Sequence, residues 1–385
     1  MKTPLSLSAG LLLALTLQLS APAQGVLTPG SAPAPSMKSL DQIEARTPIA
    51  STPFIISAPG SYYLTTNLSV AYQEAIIIQT NGVTLDLNGF TLTSSDVSAS
   101  WPAILVASGL HNLAIRNGFI ESGVTNNGSG IYNGPGFQSG ITYTPGGAPA
   151  NMRVTDVSVT GCRSDGINIG AGDSTVVEAC TVRTVGGGGI QASVVKNSVA
   201  LDCGGGGITG TLVSDSRGET TGSSIGLYAT TAEHCYGISY NGYGIYALTV
   251  LNSYGNSTGG GGIFSFTADN CIGVSDSYIG LYASEMATGC RGYSTSGTGL
   301  TAPTAMACKG YSTSGTGLFA FYIANTCLGV SNSSYGVYVY YLANTTMGIT
   351  TTGTGISAGI GNTCFGYSNS QTGIPEVVGA KYNMY

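Results

Sequence analysis

The sequence predicts an all-β fold, a single-stranded right-handed parallel β-helix (solenoid), and three observations support this prediction. An eleven-residue phrase that begins at Cys290 returns 18 residues later at Cys308, and a weaker copy begins at Thr346. A small residue and a glycine-aliphatic pair each recur every 18 or 19 residues between Cys180 and Gly373. Glycine is abundant, with 59 of 385 residues. One fixed short period indicates a stack of similar coils, each resting on its neighbours.

Two columns of residues define the 18-19-residue coils of the C-terminal half. A left-handed solenoid with an aliphatic residue every six positions is disfavoured, because six residues after Ile263 the chain has Asp269. The first column holds a small residue in each coil, at Cys180, Ser198, Ser216, Cys235, Ser253, Cys271, Cys290, Cys308, Cys327, Thr346 and Cys364. The second column is a glycine followed by Ile, Leu or Val, at Gly189, Gly207, Gly226, Gly244, Gly262, Gly280, Gly299, Gly317, Gly336, Gly355 and Gly373.

The N-terminus predicts export. Residues 1–23 resemble a secretory signal peptide, with Lys2, an apolar run over residues 5–19 and the cleavage pattern Ala21-Pro22-Ala23. We therefore expect a secreted or cell-surface protein. No later segment is long and apolar enough to predict a membrane span. Residues 24–38 are predicted to be a linker, from their Gly, Ser, Ala and Pro content.

The solenoid itself is predicted to span residues 54–373 between two caps. Residues 39–53 are expected to cap the N-terminal end, because Ser39 and Gln42 form a capping box that starts a short helix before Pro48. Such a cap would cover an otherwise open sheet edge. Residues 374–385 break the period and are expected to form a C-terminal tail or cap.

Composition excludes some partners and leaves the cysteines open to two interpretations. The formal net charge of −6 argues against nucleic acid, whose phosphates need clustered Lys and Arg.

Seven of the nine cysteines share the small-residue column, so neighbouring coils bring them close together. Their side chains should point in parallel directions, which fits a disulfide poorly, and we expect free buried thiols. No His or second Cys lies at ligand spacing, so no metal site is predicted.

A repeated strand-turn phrase connects the N-terminal half to a known superfamily. Residues 59–64 (Pro-Gly-Ser-Tyr-Tyr-Leu) and 82–92, with Asn88-Gly89 in the middle, are echoed at residues 113–120 and followed by Ile104 and Gly130-Ile131. On these residues the chain resembles the pectin-lyase-like superfamily of secreted right-handed parallel β-helices. The resemblance implies the fold over residues 54–373. It also implies a polysaccharide or cell-surface glycan as partner, without specifying an activity.

Alternation along the strands predicts which side chains face outward. If the aliphatic residue after each glycine points inward, the next residue points out. One interpretation of the resulting aromatic stripe is structural, since stacked aromatics favour strand pairing. The other is a platform for sugar rings or for a second copy of the protein. The predicted ligand-binding residues are Tyr228, Tyr246, Phe264, Tyr282, Phe319 and Tyr338, together with the cationic pair Arg291 and Lys309.

Catalysis is the alternative prediction. A β-helix lyase needs a basic residue beside carboxylates that hold Ca²⁺, and otherwise no cofactor is expected. The chain departs from the repeat at residues 94–102 and in a loop over residues 132–150, and charged residues that would suit this chemistry lie on the coils just after that loop. Neither His111 nor His234 has a partner at useful spacing, and both are expected at turns or on the surface. The candidate catalytic residues are Arg163, Asp165, Asp173, Glu178 and Arg183.

The sequence therefore predicts an extracellular or cell-surface β-helix that binds polysaccharide or serves a structural or adhesive role. The alternative is a carbohydrate-active enzyme, a polysaccharide lyase before a glycoside hydrolase. A third interpretation is an ice-binding or adhesive surface made from the column Thr258, Thr295, Thr313 and Thr351.

Overall fold

The computed structural model describes residues 45–170, 172, 174–369, 376–377 and 381–382. The compact unit that starts at Arg46 is a right-handed parallel β-solenoid, which confirms the predicted fold class. Its described residues contain strands and turns but no helix. No helix in this described part of the chain is long and apolar enough to cross a membrane.

The strands are short and follow one another closely. The first group is β1 (Thr47–Ile49), β2 (Phe54–Ile56), β3 (Gly60–Leu64), β4 (Leu68–Val70), β5 (Ile76–Ile78), β6 (Val83–Asp86), β7 (Thr91–Ser94), β8 (Ile104–Val106), β9 (His111–Glu121), β10 (Thr125–Asn126), β11 (Tyr132–Asn133), β12 (Ile141–Tyr143) and β13 (Ala150–Cys162). The second group is β14 (Ile167–Asn168), β15 (Val176–Glu178), β16 (Thr181–Val185), β17 (Ile190–Gln191), β18 (Val194–Lys196), β19 (Val199–Cys203), β20 (Ile208–Thr209), β21 (Leu212–Ser214) and β22 (Arg217–Thr220).

In the C-terminal half, long strands alternate with four-residue strands. These are β23 (Leu227–Glu233), β24 (Tyr236–Ser239), β25 (Ile245–Leu251), β26 (Tyr254–Ser257), β27 (Ile263–Asp269), β28 (Ile272–Ser275), β29 (Leu281–Thr288), β30 (Arg291–Ser294), β31 (Leu300–Met306), β32 (Lys309–Ser312), β33 (Leu318–Asn325), β34 (Leu328–Ser331), β35 (Val337–Asn344), β36 (Met347–Thr350), β37 (Ile356–Asn362) and β38 (Phe365–Ser368). Two short strands follow, β39 (Glu376–Val377) and β40 (Lys381–Tyr382).

Each coil passes through three parallel stacks of strands. Stack 1 contains β2, β5, β8, β12, β14, β17, β20 and the first halves of the long strands from β23 to β37. Stack 2 contains β1, β3, β6, β15, β18 and β21, the first parts of β9 and β13, and the second halves of the long strands. Stack 3 contains β4, β7, the second parts of β9 and β13, β16, β19, β22 and the four-residue strands from β24 to β38.

The predicted facing of the repeat is confirmed. In stack 1, Ile245 and Ala247 are buried and Tyr246 between them faces outward. Leu281 with Ala283, and Leu318 with Ala320, repeat this arrangement. In stack 2 the inward residue is Val213, then Ala232 and Val250, and from Ala268 to Ala343 it is alanine in every coil. The interior is therefore an unbroken column of small and aliphatic side chains.

Glycines make the interior unusually thin. In stack 3 the first inward residue of each later coil is a glycine, aligned from Gly218 through Gly237 to Gly366. A Cβ added at Gly237 would overlap the carbonyl oxygen of Gly244 in stack 1. The backbones of stacks 1 and 3 thus lie in direct contact. This contact explains why the repeat carries two glycines in each coil.

The small-residue column lies at the turn from stack 2 to stack 3. The residue before it adopts a left-handed conformation, as at Asn252 (φ 48) and Thr326 (φ 55). The side chain of the column residue itself donates a hydrogen bond to the carbonyl two residues earlier. The distance is 2.7 Å from Ser198 Oγ to Lys196 O and 3.1 Å from Cys271 Sγ to Asp269 O. Ser, Cys and Thr all fit this position because each is small and can donate this bond.

All nine cysteines are buried and unpaired. Burial raises the pKa of the Cys180 thiol to about 12 and that of Cys235 to about 11. Protonated, enclosed thiols react slowly, because the thiolate is the nucleophile. Seven of the nine fill the turn from stack 2 to stack 3, and Cys162 and Cys203 point into the interior in stack 3.

The structure refines the predicted boundaries. The helix expected near residues 39–46 lies outside the described residues, except for its last two positions. Parallel pairing already begins at β1, seven residues before the predicted start at Phe54. The loop expected over residues 132–150 is interrupted by β12, which joins stack 1 through the buried Ile141. At the other end, β39 and β40 of the predicted tail pair with β37.

Candidate functional site

The predicted aromatic stripe exists, and its first four rings form a ladder. Tyr228, Tyr246, Phe264 and Tyr282 occupy one outward column of stack 1. Their ring centroids are 5.5, 4.9 and 4.8 Å apart, and the planes differ by 17° or less. Tyr243 packs against the rings of Tyr246 and Phe264 at 5.8 and 5.3 Å. We call the four stacked residues, Tyr228, Tyr246, Phe264 and Tyr282, the ring ladder.

Ring orientation decides what the ladder can bind. Adjacent strands are about 4.8 Å apart, so rings stacked at this spacing turn their faces toward each other along the solenoid axis. Only ring edges then point to solvent in the middle of the ladder. A sugar packs its C–H groups on an aromatic face, and Tyr246 and Phe264 have both faces occupied by neighbouring rings. The ladder therefore matches the structural interpretation of the stripe better than the platform interpretation.

The stripe is interrupted at Thr301. This residue pairs with Tyr282 on one side and Phe319 on the other. Phe319 and Tyr338 then form a separate stacked pair at 5.5 Å. Ser357 follows Tyr338 in the same column. The Phe319–Tyr338 pair is thus flanked on each side by a coil that has no aromatic ring in this column.

A denser group of aromatics, which was not among the residues predicted from the sequence, lies beside this pair. Phe321, Tyr322, Tyr340 and Tyr341 lie at the corner between stacks 1 and 2 and are 40%, 51%, 55% and 51% exposed. We call them the aromatic ledge. Ala302 pairs with Ala320 and Thr304 with Ile323, so the coil of the ledge has one more residue than the coil before it. Such a bulge turns two successive side chains outward instead of one.

The ledge is a two-by-two array of rings. Phe321 stacks with Tyr340 at 5.4 Å, and Tyr322 stacks with Tyr341 at 5.8 Å. Within each coil the two rings meet edge to face, at 4.8 and 5.1 Å. The neighbouring coils offer Pro303 on one side and Gly359 on the other at this corner. Each ledge ring therefore has one face that no ring of an adjacent coil covers.

Uncharged polar groups flank the ledge. Asn325 and Asn344 lie in the outward column of stack 2. Each comes three residues after the second ring of its aromatic pair, Tyr322 or Tyr341. With Asn362 they form an amide ladder, with Nδ2 to Oδ1 distances of 3.1 and 3.0 Å. No Asp, Glu, Lys or Arg occurs between Lys309 and Glu376 in the sequence. The ledge thus combines ring faces, tyrosine hydroxyls and amides without charge.

Arg291 and Lys309 lie apart from the aromatic stripe. They pair with each other in stack 3, and both are exposed. Tyr293 and Tyr311 stack beside them at 4.9 Å. The cationic pair and the stripe therefore belong to different faces of the solenoid and do not form one surface.

The candidate catalytic residues are distributed over all three stacks. Glu178 lies in stack 2 beside Lys196, and Arg183 lies in stack 3. Asp165 accepts hydrogen bonds from Gly188 N at 2.8 Å and Asn168 Nδ2 at 3.2 Å, near stack 1. Arg163 donates to Ser98 O at 2.7 Å. No ion pair joins these four residues in the described part of the chain, and Asp173 lies outside it.

The described residues contain no group of three or more His, Cys, Asp or Glu side chains that could hold a metal ion. His234 occupies a left-handed turn position (φ 50) and His111 begins β9, so both lie at a turn or strand end. Contrary to the sequence-based expectation, His234 has partners: its Nδ1 lies 3.8 Å from Asp215 Oδ1 and 3.9 Å from Glu233 Oε1.

Comparisons with known proteins show a likeness to solved structures. The chain matches no protein-family model and no curated protein sequence. Among solved structures it is similar to the Dettilon tailspike protein, at 11% identity and a TM-score of 0.29, over 88% of this chain. The match spans 61% of the tailspike chain. A likeness at this level supports no statement about function.

Proposed function

We propose that this protein binds a neutral carbohydrate polymer outside the cytoplasm, through the aromatic ledge. The single observation that carries the proposal is that Phe321, Tyr322, Tyr340 and Tyr341 each have one ring face that no ring of an adjacent coil covers. Aromatic side chains that combine an apolar ring with a polar end, such as tyrosine, are enriched at binding surfaces that stay partly hydrated. Pyranose rings present an apolar C–H face and a rim of hydroxyls, and the ledge offers the complementary groups.

The charge distribution supports a neutral polymer. An acidic polysaccharide would need cations near the rings, and the nearest in sequence, Lys309, lies in stack 3. The amides of Asn325, Asn344 and Asn362 offer donors and acceptors to hydroxyl groups. The repeated coils also suit a linear polymer, because the binding groups recur along one axis. The apolar run and cleavage pattern within residues 1–23 support the location.

Retention on insoluble neutral polysaccharides tests the proposal. The variant Tyr322→Ser/Tyr341→Ser removes two exposed rings of the ledge. Contact residues of this kind contribute more than about 1 kcal/mol each, so retention on a polymer that binds the wild type should fall at least about 30-fold. Cellulose, xylan, mannan and β-1,3-glucan are the polymers to use, with soluble fragments of the same polymers as competitors.

The matched control is Tyr246→Ser/Phe264→Ser, which removes two rings of the ladder. Its retention should remain within about threefold of the wild type, because those ring faces are already covered. Unchanged retention of the ledge variant would overturn the proposal, as would a loss confined to the ladder variant. Circular dichroism of each variant verifies that the solenoid has formed.

A further inference from the structure

A hairpin arm projects from the N-terminal half and packs across later coils. The arm is Thr125–Asn133, with β10 and β11 paired antiparallel. Asn127 Oδ1 accepts hydrogen bonds from Ser129 N at 2.8 Å and Ile131 N at 3.2 Å, which holds the tip in shape. The arm belongs to none of the three stacks. Its position is therefore not set by the pairing of one coil with the next.

A partly buried polar network ties the arm to coils 70 to 89 residues further along the chain. The Tyr132 hydroxyl lies 2.8 Å from Asp202 Oδ1 and 2.9 Å from Thr221 Oγ1. Asn126 Nδ2 donates to the same Asp202 oxygen at 2.7 Å. Burial raises the pKa of Tyr132, so the hydroxyl stays protonated. The arm is thus fixed in place.

The glycine runs of the sequence form the seat of this arm. Gly186–Gly189 and Gly204–Gly207 lie on consecutive coils. A Cβ added at Gly204 would meet the Tyr132 ring at 2.8 Å, and one at Gly186 would meet Tyr132 Cβ at 3.0 Å. Side chains return on the next coils, at Thr221 and Tyr240. A cleft therefore opens where the arm extends beyond its glycine seat.

The cleft has a volume of about 680 Å³. Small-molecule sites commonly range from about 300 to 1,000 Å³. The arm contributes Asn126 and the backbone of residues 128–130, and the coils contribute Glu219, Thr221, Tyr240 and Thr258. Tyr240 is 57% exposed, so much of its ring is open to a ligand. The lining thus offers an aromatic ring, hydroxyls and one carboxylate.

Electrostatics select the ligand class. Glu219 is the only ionisable carboxylate of the lining, and its Oε2 lies 2.9 Å from Arg217 Nη2. The Arg217 guanidinium also lies 5.2 Å from the centre of the Tyr236 ring, outside the cleft. A carboxylate held in this way accepts hydrogen bonds from hydroxyl groups and repels an anion. The arginine partner reduces the attraction for a free cation.

We propose that the cleft beneath the arm is a second binding site, which takes a short neutral saccharide. The Tyr240 ring packs on the apolar face of a pyranose, and the Glu219 carboxylate accepts from adjacent hydroxyls. The proposal depends on the proposed function for its ligand class alone, since it uses a different face and different residues from the aromatic ledge.

Calorimetric titration with neutral hexasaccharides tests this site. The probes are cellohexaose, xylohexaose, mannohexaose and laminarihexaose, with hexagalacturonate as the anionic comparison. At least one neutral probe should bind the wild-type protein, and Tyr240→Ser and Glu219→Gln should each weaken that binding at least tenfold. Tyr278→Ser is the matched control, because Tyr278 is similarly exposed (49%) but lies outside the cleft. Its affinity should match the wild type.

The outcomes separate the two sites. If the ledge variant loses polymer retention and no hexasaccharide binds, the cleft proposal fails and the proposed function stands. If a hexasaccharide binds but Tyr240→Ser leaves its affinity unchanged, the cleft proposal also fails. Preference for hexagalacturonate would overturn it as well. Loss of hexasaccharide binding in Tyr240→Ser, with retention intact, supports the cleft as a separate site.

Discussion

The ring ladder and the aromatic ledge are built from the same residue types on the same scaffold, yet they differ in what they expose. In the ladder, Tyr246 and Phe264 are stacked 4.9 Å apart and have rings on both sides. In the ledge, Tyr322 and Tyr341 are half exposed and each has one ring neighbour along the axis. A column of outward aromatics therefore does not by itself make a binding platform. The position of uncovered ring faces does.

One continuous interior runs beneath both regions, and alkaline pH should unfold both together. The Cys180 and Cys235 thiols have pKa values raised by burial from 9.0 to about 12 and about 11. Because the folded pKa exceeds the unfolded one, their contribution to stability is complete below pH 9 and is lost as pH rises through 11 and 12. We expect cooperative unfolding between about pH 9 and 12. Circular dichroism recorded as the pH is raised measures it.

A serine at the same column position provides the control for that experiment. Ser198, Ser216 and Ser253 already occupy it in other coils. The variant Cys180→Ser/Cys235→Ser should move the alkaline midpoint to higher pH, since serine does not titrate there. An unchanged midpoint would mean that other groups govern alkaline unfolding.

A side chain at an inward glycine should have the next largest effect, again in both regions. Gly237→Val lies beneath the ladder and Gly310→Val beneath the ledge, and each added Cβ would overlap a carbonyl oxygen of stack 1, from Gly244 or Gly317. Overpacking typically costs about 1–3 kcal/mol, and a backbone contact leaves little room to adjust. We expect a loss of about 3 kcal/mol from each in urea unfolding. A clear difference between the two would show that the interior is not equivalent.

Removing ring pairs should distinguish the two regions in stability. Tyr246→Ser/Phe264→Ser breaks three stacked contacts of the ladder. Aromatic pairs contribute about 0.5–1.5 kcal/mol each, so the free energy of unfolding should fall by about 2 kcal/mol. Tyr322→Ser/Tyr341→Ser breaks one stacked and three edge-to-face contacts. It should still cost less, about 1 kcal/mol, because those rings keep half their surface in water in the folded protein. Equal losses would contradict the contrast between covered and open rings.

Extending the ladder should have the smallest effect. Thr301→Tyr places a ring between Tyr282 and Phe319 and joins the ladder to the Phe319–Tyr338 pair. Two new stacked pairs should raise the unfolding free energy by about 1 kcal/mol, measured in urea, while polysaccharide retention changes less than about threefold. Thr301→Ser is the control for local disturbance. A rise in retention would indicate that ladder rings bind the polymer.

The period, the inward and outward columns and the buried thiols could be predicted because each depends on local alternation or on repetition. Ile245, Ala247 and the cysteine column lie where the pattern placed them. The ledge was missed because alternation assumes one outward residue at each corner. A signal was present, since the coils that start at Cys308 and Cys327 are both 19 residues long and carry Phe-Tyr and Tyr-Tyr at one position. Two consecutive long coils indicate a shared bulge.

The sequence by itself determined the solenoid, because the repeat requires each coil to pair with the next and two glycines in each coil admit only a thin interior. Tertiary structure decided where the chain can make contact. The bulge turns Phe321 with Tyr322 and Tyr340 with Tyr341 outward. The Tyr132–Asp202 hydrogen bond holds the arm over residues 70 positions away. Neither follows from local pattern, because each depends on which backbone lies beside which once the coils are stacked.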